Sequence, residues 1–110
     1  MSVDVVPALW NAEKVFVRKA AQQGTQDLGY ARGVAGGTWM TDAVCSGSGT
    51  VEVRLDPIVS FTLHCGVGTK PEYDESALGS RGTVHITVIS HTSGRWALSV
   101  GWTHVVSAGT

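Results

Sequence analysis

Alternation of apolar and polar residues, sustained over several segments after residue 36, is the feature that most restricts the folds open to this chain. In "GTVEVRL" (49–55), valine or leucine occupies every second position from Val51, and charged side chains lie between them. The segments 59–65 and 82–90 repeat this period of two. Because successive side chains of a strand point to opposite faces, the period predicts strands with one buried face and one face in water.

Two further segments, and the connections between segments, extend this prediction. "GTWMTDAVC" (37–45) has extended character, and in "RWALSVGWTHV" (95–105) Trp96 and Trp102 share the phase expected of core side chains. Turn residues separate the segments, and "SGSG", "DP" and "HTSG" each predict a tight connection between neighbouring strands. With no helix between these strands, the pattern predicts an all-β fold, an antiparallel β-sandwich or small barrel of about five to seven strands.

The first 36 residues lack this sustained alternation. We therefore expect residues 1–36 to form an N-terminal arm and residues 37–110 to form the β-sandwich domain. Both cysteines and all the clearly alternating segments lie in 37–110, so a core could close without the arm. On this view the arm is dispensable for folding and serves to bind a partner.

Within the arm, apolar residues fall at helical spacing after Pro7, a residue that suits the first turn of a helix. These residues are Leu9, Ala12, Phe16 and Ala20. They favour a short helix over 8–23, followed by a flexible connection over 24–36. The alternative is a strand in "KVFVRK", with Val15 and Val17 on one face.

Charge and length limit the classes of partner. The chain has 110 residues, enough for one domain with one hydrophobic core, and a formal net charge of -1. It contains no block of lysine and arginine, so we expect no nucleic-acid partner. No apolar run approaches the roughly 20 residues of a membrane span.

Cys45 and Cys65 are the only cysteines, and they are separated by twenty positions. This spacing does not fit a C-x-x-C redox or zinc motif. His64 adjoins Cys65, but neighbouring strand residues point to opposite faces, so the two could not hold one metal ion. A disulfide between strand ends is the favoured interpretation, and two buried free thiols are the alternative. A disulfide would imply an oxidising compartment.

Catalytic patterns fit poorly. "CSGSGT" has Ser46 where a nucleophile elbow centred on Ser48 needs glycine, and "GVGTK" (66–70) lacks the spacing of a phosphate-binding loop. An acidic cluster in the 66–81 segment is more simply a solvated loop than a calcium site. Its members are Glu72, Asp74 and Glu75. We therefore expect a protein that is not an enzyme, with no catalytic residues, no metal and no cofactor.

Aromatic residues without a place in the predicted core are candidate binding residues. Tryptophan and tyrosine outside a core are enriched at binding surfaces, where they stack on sugars or anchor proteins. The candidates are Trp10, Phe16, Tyr30, Trp39 and Tyr73. Phe16 is included because it lies on the apolar face of the arm. The alternative is that each covers a sheet edge.

A set of residues in 37–106 resembles the small extracellular, single-disulfide β-sandwich domains of actinobacterial secreted proteins and lipoproteins. Those domains begin a strand with C-x-G-x-G-T, carry a second cysteine some twenty residues later and end on a G-x-W strand. The matching residues here are Cys45, Gly47, Gly49, Thr50, Cys65, Gly94 and Trp96. The resemblance implies a secreted β-sandwich and adds little on activity.

These observations lead to an expected function. We expect a secreted, non-enzymatic binding or adaptor module that docks to a protein partner through the arm or a sheet edge. The alternative is a carbohydrate- or cell-wall-binding module that uses exposed tryptophan and tyrosine, and a small enzyme or enzyme inhibitor is a more distant one. We expect a secreted or extracellular location, with the signal peptide absent from this chain, or a cytoplasmic location if the cysteines are free.

Overall fold

The computed structural model describes residues 3–9, 12–31, 37–66, 72–77 and 83–104, with 72–77 described as backbone. These residues form eight β-strands and contain no helix. The strands are β1 (Lys14–Gln22), β2 (Gln26–Ala31), β3 (Thr38–Cys45), β4 (Gly49–Asp56), β5 (Val59–His64), β6 (Glu72–Ala77), β7 (Val84–Thr92) and β8 (Trp96–Thr103).

The strands form two four-stranded antiparallel sheets that pack face to face. The first sheet has the order β1-β8-β3-β6, and the second has the order β2-β7-β4-β5. The predicted all-β, antiparallel fold is therefore confirmed. The five segments with strand signals correspond to β3, β4, β5, β7 and β8.

The core lies between the sheets and follows the alternation. On β4, Val51, Val53 and Leu55 are at most 1 % exposed. Trp96 is equally buried, as its phase predicted, and its indole N–H donates to the carbonyl of Gly24 at 2.9 Å. Each such buried side chain stabilises the fold by roughly 1.5–3 kcal/mol relative to its exposed state.

Of the three predicted tight connections between neighbouring strands, one joins paired strands and two do not. Residues 56–58 close a true hairpin between β4 and β5, in which the Ile58 N–H donates to the Leu55 carbonyl at 2.7 Å. By contrast, "SGSG" and "HTSG" carry the chain from one sheet to the other, because β3 and β8 belong to the first sheet and β4 and β7 to the second.

The two crossing connections pack tightly against each other. The Ser46 N–H donates to the Arg95 carbonyl at 2.8 Å, and the Thr92 hydroxyl donates to the Ser46 carbonyl at 2.6 Å. A Cβ on Gly47 would lie 2.6 Å from the backbone nitrogen of Gly94, so neither connection has room for a side chain at this point. The glycines of the C-x-G-x-G motif therefore have a packing reason in this fold.

The predicted N-terminal arm and its helix are wrong. β1 pairs with β8 and β2 pairs with β7, so residues 14–31 supply one edge strand to each sheet. Val17 and Ala31 are buried in the core.

A β-bulge explains why β1 does not alternate. Val15 pairs with Gly101 and Val17 pairs with Val100, which leaves Phe16 as an extra residue between them. Val15 and Val17 consequently point to opposite faces, and Phe16 joins Val17 on the core side.

Residues 3–9 cover the outer face of the first sheet. The Ala21 N–H donates to the Val3 carbonyl at 2.7 Å, and the Ser99 hydroxyl donates to the Pro7 carbonyl at 2.5 Å. A Cβ on Gly101 would lie 2.9 Å from the Leu9 side chain. As a result β8 is buried on both faces, although its sequence alternates like that of a strand with one wet face.

Candidate functional site

The disulfide fixes one end of the sandwich. Cys45 ends β3 in the first sheet, Cys65 follows β5 in the second, and the two are bonded with a Cα–Cα distance of 4.9 Å. The Cys65 N–H also donates to the Gly49 carbonyl at 3.0 Å. The predicted pairing is confirmed, and it is compatible with an oxidising, extracellular location.

Two of the five candidate binding residues lie in or against the core, so their expected place on a binding surface is corrected. Trp39 is 1 % exposed, and Phe16 stacks on it with ring centroids 5.2 Å apart. The cause is the β1 bulge, which turns Phe16 inward over the ring of Trp39. Trp39 is therefore enclosed in the core, and Phe16 is a half-buried residue that packs against it.

The structure does not describe the side chains of two other candidate binding residues. Trp10 lies outside the described residues. Tyr73 belongs to β6, where the backbone is described and pairs residue 73 with Asp42 of β3. The acidic residues of the predicted solvated loop, 72–75, also belong to this edge strand rather than to a loop.

Tyr30 is the candidate that lies on the surface. It is 62 % exposed, and its ring stacks on the imidazole of His85, with centroids 4.4 Å apart and planes inclined by 17°. The two residues are directly opposite each other on β2 and β7. The pair stands on the outer face of the second sheet, away from the core.

A bulge in β2 brings a carboxylate to the same face. Asp27 pairs with Thr87 and Gly29 pairs with Ile86, so Leu28 is an extra residue between them. In a regular strand, residues 27 and 30 would point to opposite faces, because they are three positions apart. The extra residue places both on the outer face. Gly29 adopts a φ of 86°, which only glycine accepts readily.

Asp27 holds the imidazole in position. Its Oδ1 lies 2.8 Å from Nε2 of His85 and accepts the backbone N–H of Gly29 at 2.9 Å. The hydrogen bond from the Gly29 N–H is the main reason that the pKa of Asp27 lies below its ordinary value, and the hydrogen bond with His85 is the next. The carboxylate is therefore charged at neutral pH, and it fixes the ring on which Tyr30 stacks.

Further polar side chains of β4 continue this face. Arg54 is opposite Thr87 in the register, and its guanidinium lies 3.1 Å from Glu52 Oε2. We call the patch formed by Tyr30, His85, Asp27, Arg54 and Glu52 the Tyr30 surface. It offers one exposed ring stacked on His85 beside Asp27, and the Arg54–Glu52 ion pair lies farther along the same sheet face.

The described residues contain no metal-binding cluster at the Tyr30 surface. No group of three histidine, cysteine, aspartate or glutamate side chains among them could hold a metal ion. A cavity of about 260 Å³ lies elsewhere, between residues 6–9 and β1, with Arg18 and Ser99 in its wall.

Sequence reasoning identified Tyr30 but missed Asp27 and His85 as its neighbours. The period of two in 82–90 places His85 on the face opposite Val84 and Ile86, and the structure agrees, but its partner Asp27 lies 58 positions away. The local sequence "DLG" did contain one signal, since aspartate two residues before glycine often accepts the glycine N–H.

The sequence matches no protein-family model, and comparison with curated proteins and with solved structures found no match to either. In the part of the chain that the structure describes, no helix is long and apolar enough to cross a membrane.

Proposed function

We propose that this chain is a secreted, non-enzymatic binding module that docks to a protein partner through the Tyr30 surface. The observation that carries the proposal is the exposed ring of Tyr30, which is held in place from below by His85. The chain leaves few other large apolar side chains in water: among the described residues only Val5, Val15 and Tyr30 stay markedly exposed.

Tyrosine is suited to this role for an energetic reason. It buries a large area at a small cost in side-chain entropy, and tyrosines are enriched among the residues that dominate binding energy. The stack on His85 lowers that cost further, because the ring is already ordered before a partner arrives.

The charges around Tyr30 would supply specificity. Asp27, Arg54 and Glu52 form a polar rim of both signs, and a partner must match these signs to bind. The disulfide supports the proposal that the partner is met outside the cell, where such bonds persist.

A carbohydrate ligand is the second candidate, and the shape of the site favours it. The Tyr30 surface lies on a sheet face rather than in a cleft, and a planar ring flanked by carboxylate and guanidinium groups suits a sugar ring. In this case Tyr30 would stack on the sugar, and Asp27 or Arg54 would bond its hydroxyls.

The test compares three variants of the full-length, oxidised chain. The chain is immobilised and exposed in parallel to secreted and surface proteins of its source organism and to a glycan array. We expect Tyr30→Ala to weaken binding at least about 30-fold, the effect of losing a dominant contact residue. Tyr30→Phe should retain most of the affinity, and Lys19→Ala, an exposed change on the other sheet, should have no effect.

The outcomes separate the candidates. Loss of a specific protein ligand in Tyr30→Ala supports the proposal, and loss of a glycan ligand supports the second candidate. Equal binding by the parent chain, Tyr30→Ala and Lys19→Ala would show that the Tyr30 surface is not the binding site.

A further inference from the structure

The four edge strands of the two sheets differ in how well they are protected against strand addition. Natural edge strands carry charges, bulges or prolines that discourage pairing with another chain. β1 has two register shifts and three basic residues, and β2 has a bulge beside Asp27. β6 has the sequence "EYDESA", with three carboxylates.

β5 lacks all of these features. Its sequence, "VSFTLH", contains no lysine, arginine, aspartate, glutamate, proline or glycine. Its register with β4 is unbroken from Val59 to His64. Among the described strands, none pairs with its outer side. Within the described residues, β5 therefore presents a regular edge without acidic or basic side chains, and no strand pairs with its outward backbone donors and acceptors.

The sequence of β5 is also symmetric in character. Around Phe61 it reads aliphatic, hydroxyl, phenyl, hydroxyl, aliphatic, from Val59 to Leu63. If two copies of β5 pair antiparallel about Phe61, each residue from Val59 to Leu63 faces a residue of the same chemical type. Phe61 meets Phe61 of the second copy, Val59 meets Leu63, and Ser60 meets Thr62.

We propose that two copies of this chain associate through β5 to form a symmetric dimer with one continuous eight-stranded sheet. The two-fold axis passes between the Phe61 residues, as an interface of identical patches requires. The inward side chains extend the core, because Val59 and Phe61 are only half-buried at this margin of the sandwich. On the outer face, the hydroxyls of Ser60 and Thr62 face each other.

Electrostatics does not oppose this pairing. No lysine, arginine, aspartate or glutamate side chain of β5 enters the new strand pair, and His64 falls at its ends, opposite Ile58 of the second copy. The nearest charged pair, Arg54 with Glu52 on β4, is neutralised internally.

The dimer would also place two Tyr30 surfaces in one assembly. In the order β2-β7-β4-β5-β5-β4-β7-β2, the two β2 strands are seven spacings apart, or about 34 Å at about 4.8 Å for each spacing. A partner with repeated epitopes would then be bound bivalently and gain avidity. The dimer itself does not depend on the function proposed for Tyr30.

Sedimentation equilibrium of the oxidised full-length chain tests the proposal. We expect twice the monomer mass at high concentration, with reversible dissociation on dilution. Thr62→Lys adds a charge to the exposed edge and should weaken dimerisation at least about tenfold. Ser93→Lys adds the same charge in an exposed connection and should leave dimerisation unchanged.

A disulfide cross-link tests the register. Chains carrying Ser60→Cys and Thr62→Cys are mixed and oxidised, and peptide mapping should show residue 60 of one copy bonded to residue 62 of the other. A chain that stays monomeric at millimolar concentration, or a dimer equally insensitive to Thr62→Lys and Ser93→Lys, would overturn the proposal. Neither result would bear on ligand binding by Tyr30.

Discussion

Two aspartates on the sheets show how differently the fold treats the same side chain. Asp27 stands in water, accepts two hydrogen bonds and has a lowered pKa. Asp42 lies on the outer side of β3, opposite Ser99 of β8, and its Oδ1 is buried with no hydrogen-bond partner among the described residues. Burial raises the pKa of Asp42, although the Ala43 N–H partly offsets this effect.

The raised pKa of Asp42 predicts a pH dependence of stability. The charged form is less favourable in the folded chain than in the unfolded chain, so the free energy of unfolding falls as pH rises from the ordinary value through the raised one. We expect Asp42→Asn to be more stable than the parent chain at neutral pH and to lose that advantage at acid pH.

Urea denaturation at a series of pH values measures this difference. Asp56→Asn, the same change at an exposed position beside the β4–β5 turn, is the control and should show no such advantage. A parent chain that matches or exceeds Asp42→Asn in stability at neutral pH would contradict the account of Asp42.

At the scale of elements, sequence patterns identified the strands that alternate regularly and missed those that do not. β4 keeps a period of two from Val51 to Leu55 and β7 keeps it from Val84 to Val88, and their core residues follow directly. β1 and β2 each contain an extra residue that breaks the period, so β1 acquired apolar residues at helical spacing. β6 carries too few apolar residues to be recognised as a strand.

The candidate site was only partly predictable for the same reason. Tyr30 could be identified as an aromatic residue without a core position. Its stack on His85 depends on the pairing of strands far apart in sequence, and its approach to Asp27 depends on the bulge at Leu28. Trp39 was misassigned because β3 is buried on both faces, so its sequence shows no alternation that would mark the core side.

The placement of β1 and β2 predicts that the fragment 37–110 does not fold. Removing residues 1–36 takes away one edge strand from each sheet and exposes core around Val100 and Ile86. We expect circular dichroism of the fragment to lack a cooperative thermal transition, whereas the full chain melts cooperatively. A fragment that melts cooperatively near the temperature of the full chain would support the prediction that residues 1–36 form a separate arm, dispensable for folding.

At the scale of the whole molecule, one end of the sandwich is closed covalently and by tight backbone contacts. The disulfide joins β3 to the end of β5, and the adjacent crossing connections leave no space for a side chain at Gly47 or Gly94. The second sheet is therefore fixed to the first at this end, while Tyr30 on its outer face stays exposed.

Loss of the disulfide should lower global stability without changing the fold. The bond closes a loop with a sequence separation of 20, for which the chain-entropy model gives a stabilisation of about 3 kcal/mol. We expect the double variant Cys45→Ala, Cys65→Ala to unfold at lower urea concentration by about this free energy, with an unchanged far-ultraviolet circular dichroism spectrum. Equal urea midpoints for the two chains would show that the bond does not hold the sheets together.

The proposed function requires that the outer face of the second sheet, around Tyr30, contacts the ligand. Nuclear magnetic resonance tests it most directly, by titrating the captured ligand into the isotope-labelled, oxidised chain and following the backbone amides. We expect the largest changes in chemical shift in β2 and β7, around Tyr30 and His85. Changes confined to β3 and β8 of the first sheet would contradict it.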